Sequence, residues 1–549
     1  MRIAPDIFSR PLVLIILFAL MMGVVYSPVL YFDYVFHDDA TFWVKLKEYG
    51  FKHMYFDRCI SECRYGDALL VTIQNFFIHK VSDLKFLRLL AIIISSGSAC
   101  LLFQQMRRLL FSNIQAFLLI SVIFFLPGFS VLIFNAAYSS IISLCILMAC
   151  WSFHRINTAP GIILPAFSFL FAISIYPPAA MFYWVMAGMD VLFAHDTQGS
   201  RFKSNIFRSI AVGLACIMIY ALSVFSMHFF YPHESNTASF YNPFNINHDM
   251  LGKLQWFFQE PLVNALNLWN IFPKKTLSIA VSGFIILTAW AAATKGRLHI
   301  DLRRIGLLAF IFFLAFLPNL AAKGNAAFYR CLIPLSSLIW LVLAWSIFKW
   351  ADLIPTVLTK WSMIALLSLV VVYAGITTYD NVLYYRVLPS TVEWNAYKSM
   401  AEQMHFKKAD AIYILLPYQL SNERYDEFNI LSSDFIFDIY HLIYCAFKET
   451  GGPYPIPAVY CSFPESNHLI NIREMYYTKL ADGTLACRDI NKDEPLHAVD
   501  KDTYRDNING GIFTISSYQK KSSKRQNWYI LNLKDLFSLS NYKVLFSSF

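Results

Sequence analysis

From its N-terminus to about residue 380 the chain alternates long apolar runs with short polar connections. A helix needs roughly 20 apolar residues to cross the hydrocarbon core of a bilayer, with about 17 as a workable minimum. Runs of that kind fall at 11–30, 86–104, 112–127, 130–150, 161–177, 179–194, 208–230, 277–294, 305–321, 331–348 and 361–379. The pattern therefore predicts about eleven spans. The stretches 112–150 and 161–194 are nearly continuous, and Pro127-Gly128 and Pro177-Pro178 divide them, because these residues punctuate helices. The first run follows Arg2 and Arg10 and continues into bulky residues rather than a small-residue cleavage site. It reads as an uncleaved first helix.

After Tyr385 the pattern changes. Ala409–Pro417 reads as a buried strand, with a short helix expected over Tyr397–Phe406. Further strand-like pieces lie at 456–461 and 511–516, and turns are expected at Asp482-Gly483 and Gly510-Gly511. The expected fold class is a polytopic α-helical membrane protein of about eleven transmembrane helices over 1–384. A mixed α/β soluble domain is expected over 385–549.

Composition agrees with the membrane reading. Of the 549 residues 57% are hydrophobic and only 15% charged, against about 25% charged in soluble domains. The 50 Phe, 31 Tyr and 12 Trp suit helices with aromatic belts. The net charge of +9 is spread over short basic clusters between apolar runs, so it reads as topology and attraction to anionic lipid rather than nucleic-acid binding. Arg2, Arg10, Arg107, Arg108, Arg155, Arg201, Lys203, Arg208, Lys295, Arg297, Arg303, Arg304, Lys349 and Lys360 all fall on the same side of the membrane as the N-terminus. By the positive-inside rule that side is cytoplasmic, which places the C-terminal region outside the cytoplasm. A disulfide is permitted in that compartment, with Cys461–Cys487 one candidate pairing.

Candidate chemistry concentrates in the external segments. Phe36-His37-Asp38-Asp39 sets two carboxylates at a membrane boundary, where they repel each other unless they hold a cation, a metal or a substrate hydroxyl. One could serve as general base while the other positions it or binds a divalent ion such as Mg2+ or Mn2+. The plainer alternative is an interfacial loop in which Asp39 caps the next helix. Arg64 follows in the same loop, ahead of an amphipathic stretch from Ala68 to Lys80. There Val71, Phe76, Phe77 and Val81 could lie toward lipid, with Gln74, Asn75 and His79 toward water, and a helix that only packs across the bundle is the equal alternative. Positive charge is otherwise scarce on this side, which singles out Lys323 and Arg330 as candidates for a lipid phosphate. Ordinary anionic-lipid contact is the competing explanation.

These features resemble the polytopic glycosyltransferases of the GT-C superfamily, and within it the bacterial GtrII-type serotype-converting glucosyltransferases. The likeness rests on the acidic pair in the first external loop, the Ile-Tyr-Pro-Pro-Ala stretch at 175–179, which includes Tyr176, and the Arg-X-X-X-Pro element at Arg330–Pro334. Pro177 stands where the family carries Gln. The resemblance implies direct, inverting transfer of a sugar from a polyprenyl-phosphate donor to a cell-envelope glycan or lipid acceptor, O-antigen included. It implies a bacterial inner-membrane enzyme with its C-terminal domain in the periplasm. Asp38 or Asp39 is carried over as base, with His37, Arg64, Tyr176, Lys323 and Arg330 as substrate-binding candidates. A ligase or other lipid-linked glycan or phospho-group transferase is the rival enzyme reading, and a lipid or glycan flippase the non-enzymatic one.

Overall fold

The computed structural model describes residues 8, 10–36, 38–40, 63–109, 111–193, 199–230, 249–272, 275–294, 302–322, 324–325, 327–351, 356–406 and 436–451, together with eight short strands between 411 and 532. Among the described residues, five helices are long and apolar enough to cross a membrane: Val81–Arg108, Ala136–Thr158, Asn205–Met227, Tyr329–Trp350 and Trp361–Glu402. A sixth crossing results if Asn113–Ile123 and Pro127–Phe134, bent by 66°, are taken as one broken span. The chain is a multi-pass α-helical membrane protein.

The expected count of about eleven spans is corrected, because several apolar runs fold as short or broken helices. The first run is α1 (Pro11–Val25) and α2 (Ser27–Tyr31), separated at Tyr26. The next elements are α3 (Tyr65–Asn75) and the long α4 (Leu84–Arg108). Residues 112–158 form α5 (Asn113–Ile123), α6 (Pro127–Phe134) and α7 (Ala136–Thr158). Residues 163–193 form α8 (Ile163–Ile175), α9 (Pro177–Ala180) and α10 (Tyr183–Phe193). At 1.5 Å per residue, α8 and α10 rise only about 20 Å and about 17 Å, short of the ~30 Å hydrocarbon core. They are followed by α11 (Gly199–Phe230), α12 (Met250–Gln259), α13 (Pro261–Leu266), α14 (Lys275–Thr294), α15 (Leu302–Ala315) and α16 (Leu317–Ala321). The last of the bundle are α17 (Tyr329–Ala351) and α18 (Thr356–Val382).

The breaks have a local cause. Pro127 and Pro177 each occupy the first turn of a helix, where the missing N–H costs nothing. Each forces the residue before it out of the helical region: Leu126 lies at φ −66°, ψ 148° and Tyr176 at φ −150°, ψ 97°. A break inside an apolar bundle exposes backbone carbonyls that water cannot reach, so side chains must satisfy them. Tyr26 and Thr378 hydroxyls donate to the carbonyls of Phe124 and Phe125, each at 2.6 Å. Tyr34 and Arg88 donate together to the carbonyl of Phe134, at 2.9 and 3.2 Å. At the second break the Cys145 thiol faces the carbonyls of Ala172 and Tyr176. Around these points the apolar side chains form one continuous core, and α10 is buried on almost every side.

The expected separate α/β soluble domain is also corrected. The last span does not stop at residue 384: α18 runs through one π turn (Leu383–Val387) into α19 (Leu388–Phe406). Helix α20 (Ile436–Thr450) packs on α19, and Glu449 near its end accepts the backbone N–H of Val81, tying the tail to the start of α4. Strands β1 (Ala411–Leu415), β2 (Ala458–Ser462), β3 (Ile470–Asn471), β6 (Asn507–Gly510), β7 (Phe513–Gln519) and β8 (Arg525–Asn532) pair in the order β3-β2-β1-β8-β7-β6. The remaining two, β4 (Tyr477–Lys479) and β5 (Leu485–Cys487), pair as a hairpin. An α/β domain lays helices on the faces of its sheet. Among the described residues α19 and α20 instead pack on each other and on the membrane bundle, and the described protein is largely helical. The side chains of Cys461 and Cys487 lie outside the described residues.

Candidate active site

Four sequence-predicted residues from distant segments gather at one end of the bundle. Asp38 follows α2 and directs Oδ2 toward Arg330 Nη1 at 3.7 Å. Asn135, at the α6–α7 break, donates its side-chain amide to the same oxygen at 3.4 Å. Asp38 and Arg330 retain 18% and 22% side-chain exposure, so this pair can still be reached by a ligand. Next to Arg330, Cys331 Sγ lies 3.3 Å from the Tyr176 hydroxyl. The guanidinium of Arg64 sits 5.0 Å from the centre of the Tyr176 ring, within cation–π range. The result is a continuous row from Arg64 through Tyr176 and Arg330 to Asp38. His37 and Lys323 lie outside the described residues.

Two glycines make this convergence possible. A Cβ on Gly66 would meet Ser174 Oγ at 2.7 Å and Ile175 Cγ1 at 2.8 Å. Only glycine lets α3 begin against the end of α8, which brings Arg64 over Tyr176. A Cβ on Gly128 would lie 2.6 Å from both the Tyr329 carbonyl and Ile333 Cγ1. That close crossing presses α6 against the turn of α17 that carries Arg330.

Asp39 has a different setting from its neighbour. Its side chain is fully buried, as is that of Arg88, and the two are 3.3 Å apart. Oδ1 accepts the Ala137 N–H at 2.7 Å, and Oδ2 accepts the Phe36 N–H at 3.2 Å. Ala137 is in the first turn of α7, so Asp39 places negative charge at the N-terminus of a helix far away in sequence. The segment that Asp39 was expected to cap, from Thr41 on, lies outside the described residues, and within them Asp39 caps α7 in trans. Burial pushes the Asp39 carboxyl above its usual range, against the opposing pull of Arg88 and the two amides. Arg88 also donates to the Tyr34 carbonyl at 3.1 Å and stacks on the Tyr34 ring at 3.7 Å. Arg386, in the π turn, lies 3.2 Å over the ring of Phe36.

A divalent cation does not fit this arrangement. Asp39 is surrounded by three hydrogen-bond donors, one of them cationic, and Asp38 faces an amide N–H and a guanidinium. Among the described residues no group of three or more metal-ligating side chains occurs.

Asn135, Arg88, Cys331 and Arg386 are members of this neighbourhood that sequence reasoning passed over. Arg88 carried a usable signal, since a charge inside an apolar run is costly and marks a buried partner. Asn135 carried a weaker one, as a lone amide within Ile133-Phe134-Asn135-Ala136. Of the two readings of 68–80, packing across the bundle is the one that the contacts favour. Phe76 and Phe77 are exposed, but Val71 and Val81 are buried. Gln74 turns inward, donating to the Ala136 and Ala137 carbonyls and accepting from Ser140 at 2.8 Å. That locks α3 to the N-terminus of α7.

Comparison of the chain with protein-family models, with curated proteins and with solved structures finds no match. The functional reading therefore rests on the residues and their geometry.

Proposed function

We propose that the protein is a GT-C-type membrane glycosyltransferase, similar to the GtrII kind, that moves a sugar from a polyprenyl-phosphate donor to a cell-envelope glycan or lipid acceptor. The observation that carries this reading is the convergence of Asp38, Arg330, Tyr176 and Arg64 at one end of an apolar bundle. A reachable carboxylate there faces the Arg330 guanidinium, and a second guanidinium, that of Arg64, lies against the Tyr176 ring. Asp38 takes the proton of the acceptor hydroxyl as that oxygen attacks the anomeric carbon. The bond from that carbon to the phosphate oxygen breaks, and the departing lipid phosphate carries the negative charge. Arg330 and Arg64 stabilise it. Protonation of Asp38 removes the charge that Arg330 faces, so the guanidinium becomes available to the phosphate as the leaving group forms. Asp39 holds Asp38 in place through its link to α7 and takes no part in proton transfer.

The test uses purified, folded Asp38→Asn protein and a labelled sugar on polyprenyl phosphate. Asn keeps the shape and loses the basicity, so turnover should fall by ~10² to ~10⁴. Near-normal transfer would remove Asp38 from catalysis and the proposal with it.

The same reading sets the orientation in a bacterial inner membrane. The basic clusters face the cytoplasm, and Asp38 and residues 385–549 face the periplasm. A reporter active only in the cytoplasm, fused after Phe549, should stay silent, and a strong signal would reverse the topology.

A further inference from the structure

A large cavity lies at the other end of the bundle, where α4, α7 and α10 finish and α11 is beginning. It has a volume of about 760 Å³ and is lined by Gln105, Arg108, Asn157, Asp190, Asn205 and Arg208, among others. Pockets for small ligands span roughly 300–1,000 Å³. Its chemistry is graded from floor to rim. Asp190 is almost fully buried and accepts a hydrogen bond from the side chain of Gln105. Arg108 donates to the oxygen of that same amide at 3.4 Å. Arg108 is exposed and Arg208 half-buried, the latter donating at 2.7 Å to the Pro160 carbonyl.

We infer that this cavity binds a phosphodiester that carries adjacent hydroxyl groups. Two guanidiniums at the rim match a phosphate in charge and in fork geometry. A phosphate is disfavoured on the floor, where the buried Asp190 carboxyl would set oxygen against oxygen. A hydroxyl can sit there, because a carboxyl group and the amides of Asn157 and Asn205 accept and donate hydrogen bonds to it. The ligand must then present both groups a few ångströms apart, as the headgroup of phosphatidylglycerol does. Basic pockets between helix ends are a recurring form of lipid recognition. The site shares no residue with the Asp38 neighbourhood, so it stands whether or not the transferase reading holds.

The experiment uses the full chain, purified in detergent and stripped of lipid. Phosphatidylglycerol, phosphatidylcholine and free glycerophosphoglycerol, the deacylated diester, are added in turn, and thermal unfolding and retained lipid are measured. Phosphatidylglycerol should raise the midpoint by several degrees in a saturable way, and phosphatidylcholine, whose headgroup is zwitterionic and lacks hydroxyls, should not. An equal effect of free glycerophosphoglycerol assigns the site to a soluble phosphodiester, and its absence assigns it to the lipid. Arg108→Gln with Arg208→Gln should lose the shift, whereas Arg107→Gln, adjacent but outside the cavity lining, should keep it. The wild-type protein gives an independent measure: phosphatidylglycerol should slow modification of Arg108 and Arg208 by an arginine-selective dicarbonyl while leaving Arg107 reactive. Equal stabilisation by phosphatidylcholine, an undiminished shift in the double variant, or no protection of either arginine would overturn the assignment.

Discussion

Replacing Asp39 with Asn separates a buried ion pair from an ordinary helix cap. The carboxylate receives three donors: Ala137 N–H at 2.7 Å, Phe36 N–H at 3.2 Å and Arg88 Nη2 at 3.3 Å. Its side chain and that of Arg88 are both fully buried. Asn keeps one acceptor oxygen, so if it serves Ala137 the new NH₂ group points at Phe36 N–H and Arg88, donor against donor. Arg88 then remains buried without its counter-charge, a change that typically costs about 3–5 kcal/mol. A simple cap behaves otherwise, because Asn caps nearly as well as Asp and the exchange costs little. The assay is unfolding of purified protein in mixed micelles, followed by tryptophan fluorescence and by recovery of monodisperse protein. Arg88→Met should be comparably damaging, and the two effects should fall well short of additive in the double variant. A loss below ~1 kcal/mol in Asp39→Asn would refute the buried-pair reasoning.

Two further outcomes follow from other parts of the structure. Gly128→Leu should lower transfer activity more than it lowers expression, since its side chain must push the Arg330-bearing turn of α17 away from α6; unchanged turnover in the folded variant would break the link between that crossing and the site. Burial pushes the amine of Lys253 down to about 8 from its ordinary 10.5. Between those values the unfolded chain binds the extra proton, so stability should rise with pH across that window. Lys253→Met should flatten the rise, and an unaltered slope would show that another group titrates there.

The punctuation of the membrane region was legible because proline acts through its own ring and its immediate neighbour. Pro127 and Pro177 begin helices, and the residues before them are extended. What apolarity could not reveal is whether a hydrophobic run faces lipid or protein. Helix α10 is apolar on nearly all sides because it is enclosed by other helices, and a window of hydropathy reads such a helix as a span. The same ambiguity inflated the count at α8. The end of the membrane region was hidden for a different reason. The residues around 385 are more polar, yet helical hydrogen bonding continues through Leu383–Val387 and on to Phe406. The acidic pair was visible as a pair, but its division of labour was not. Adjacent residues point in different directions, and the direction of each depends on Arg88 and Arg330, which lie far away in sequence.

The candidate site follows from the broken helices more than from the intact spans. An uninterrupted membrane helix satisfies its own backbone and offers a ligand only side chains. At Asn135 and Tyr176 the chain leaves the helix, and the amides and carbonyls so released need partners. Asp39 takes the amide at the start of α7, while Tyr34 and Arg88 take the carbonyl at the end of α6. Those assignments bring charged groups to a depth that solvation energy would otherwise forbid, and each one fixes a neighbour. Holding Asp39 orients Asp38 toward Asn135 and Arg330, and the extended backbone at Tyr176 turns its ring between Arg64 and Cys331. A proline or glycine change at either break should therefore disturb the Asp38 row before it disturbs the long spans, because Asn135 and Tyr176 of that row sit at the breaks themselves.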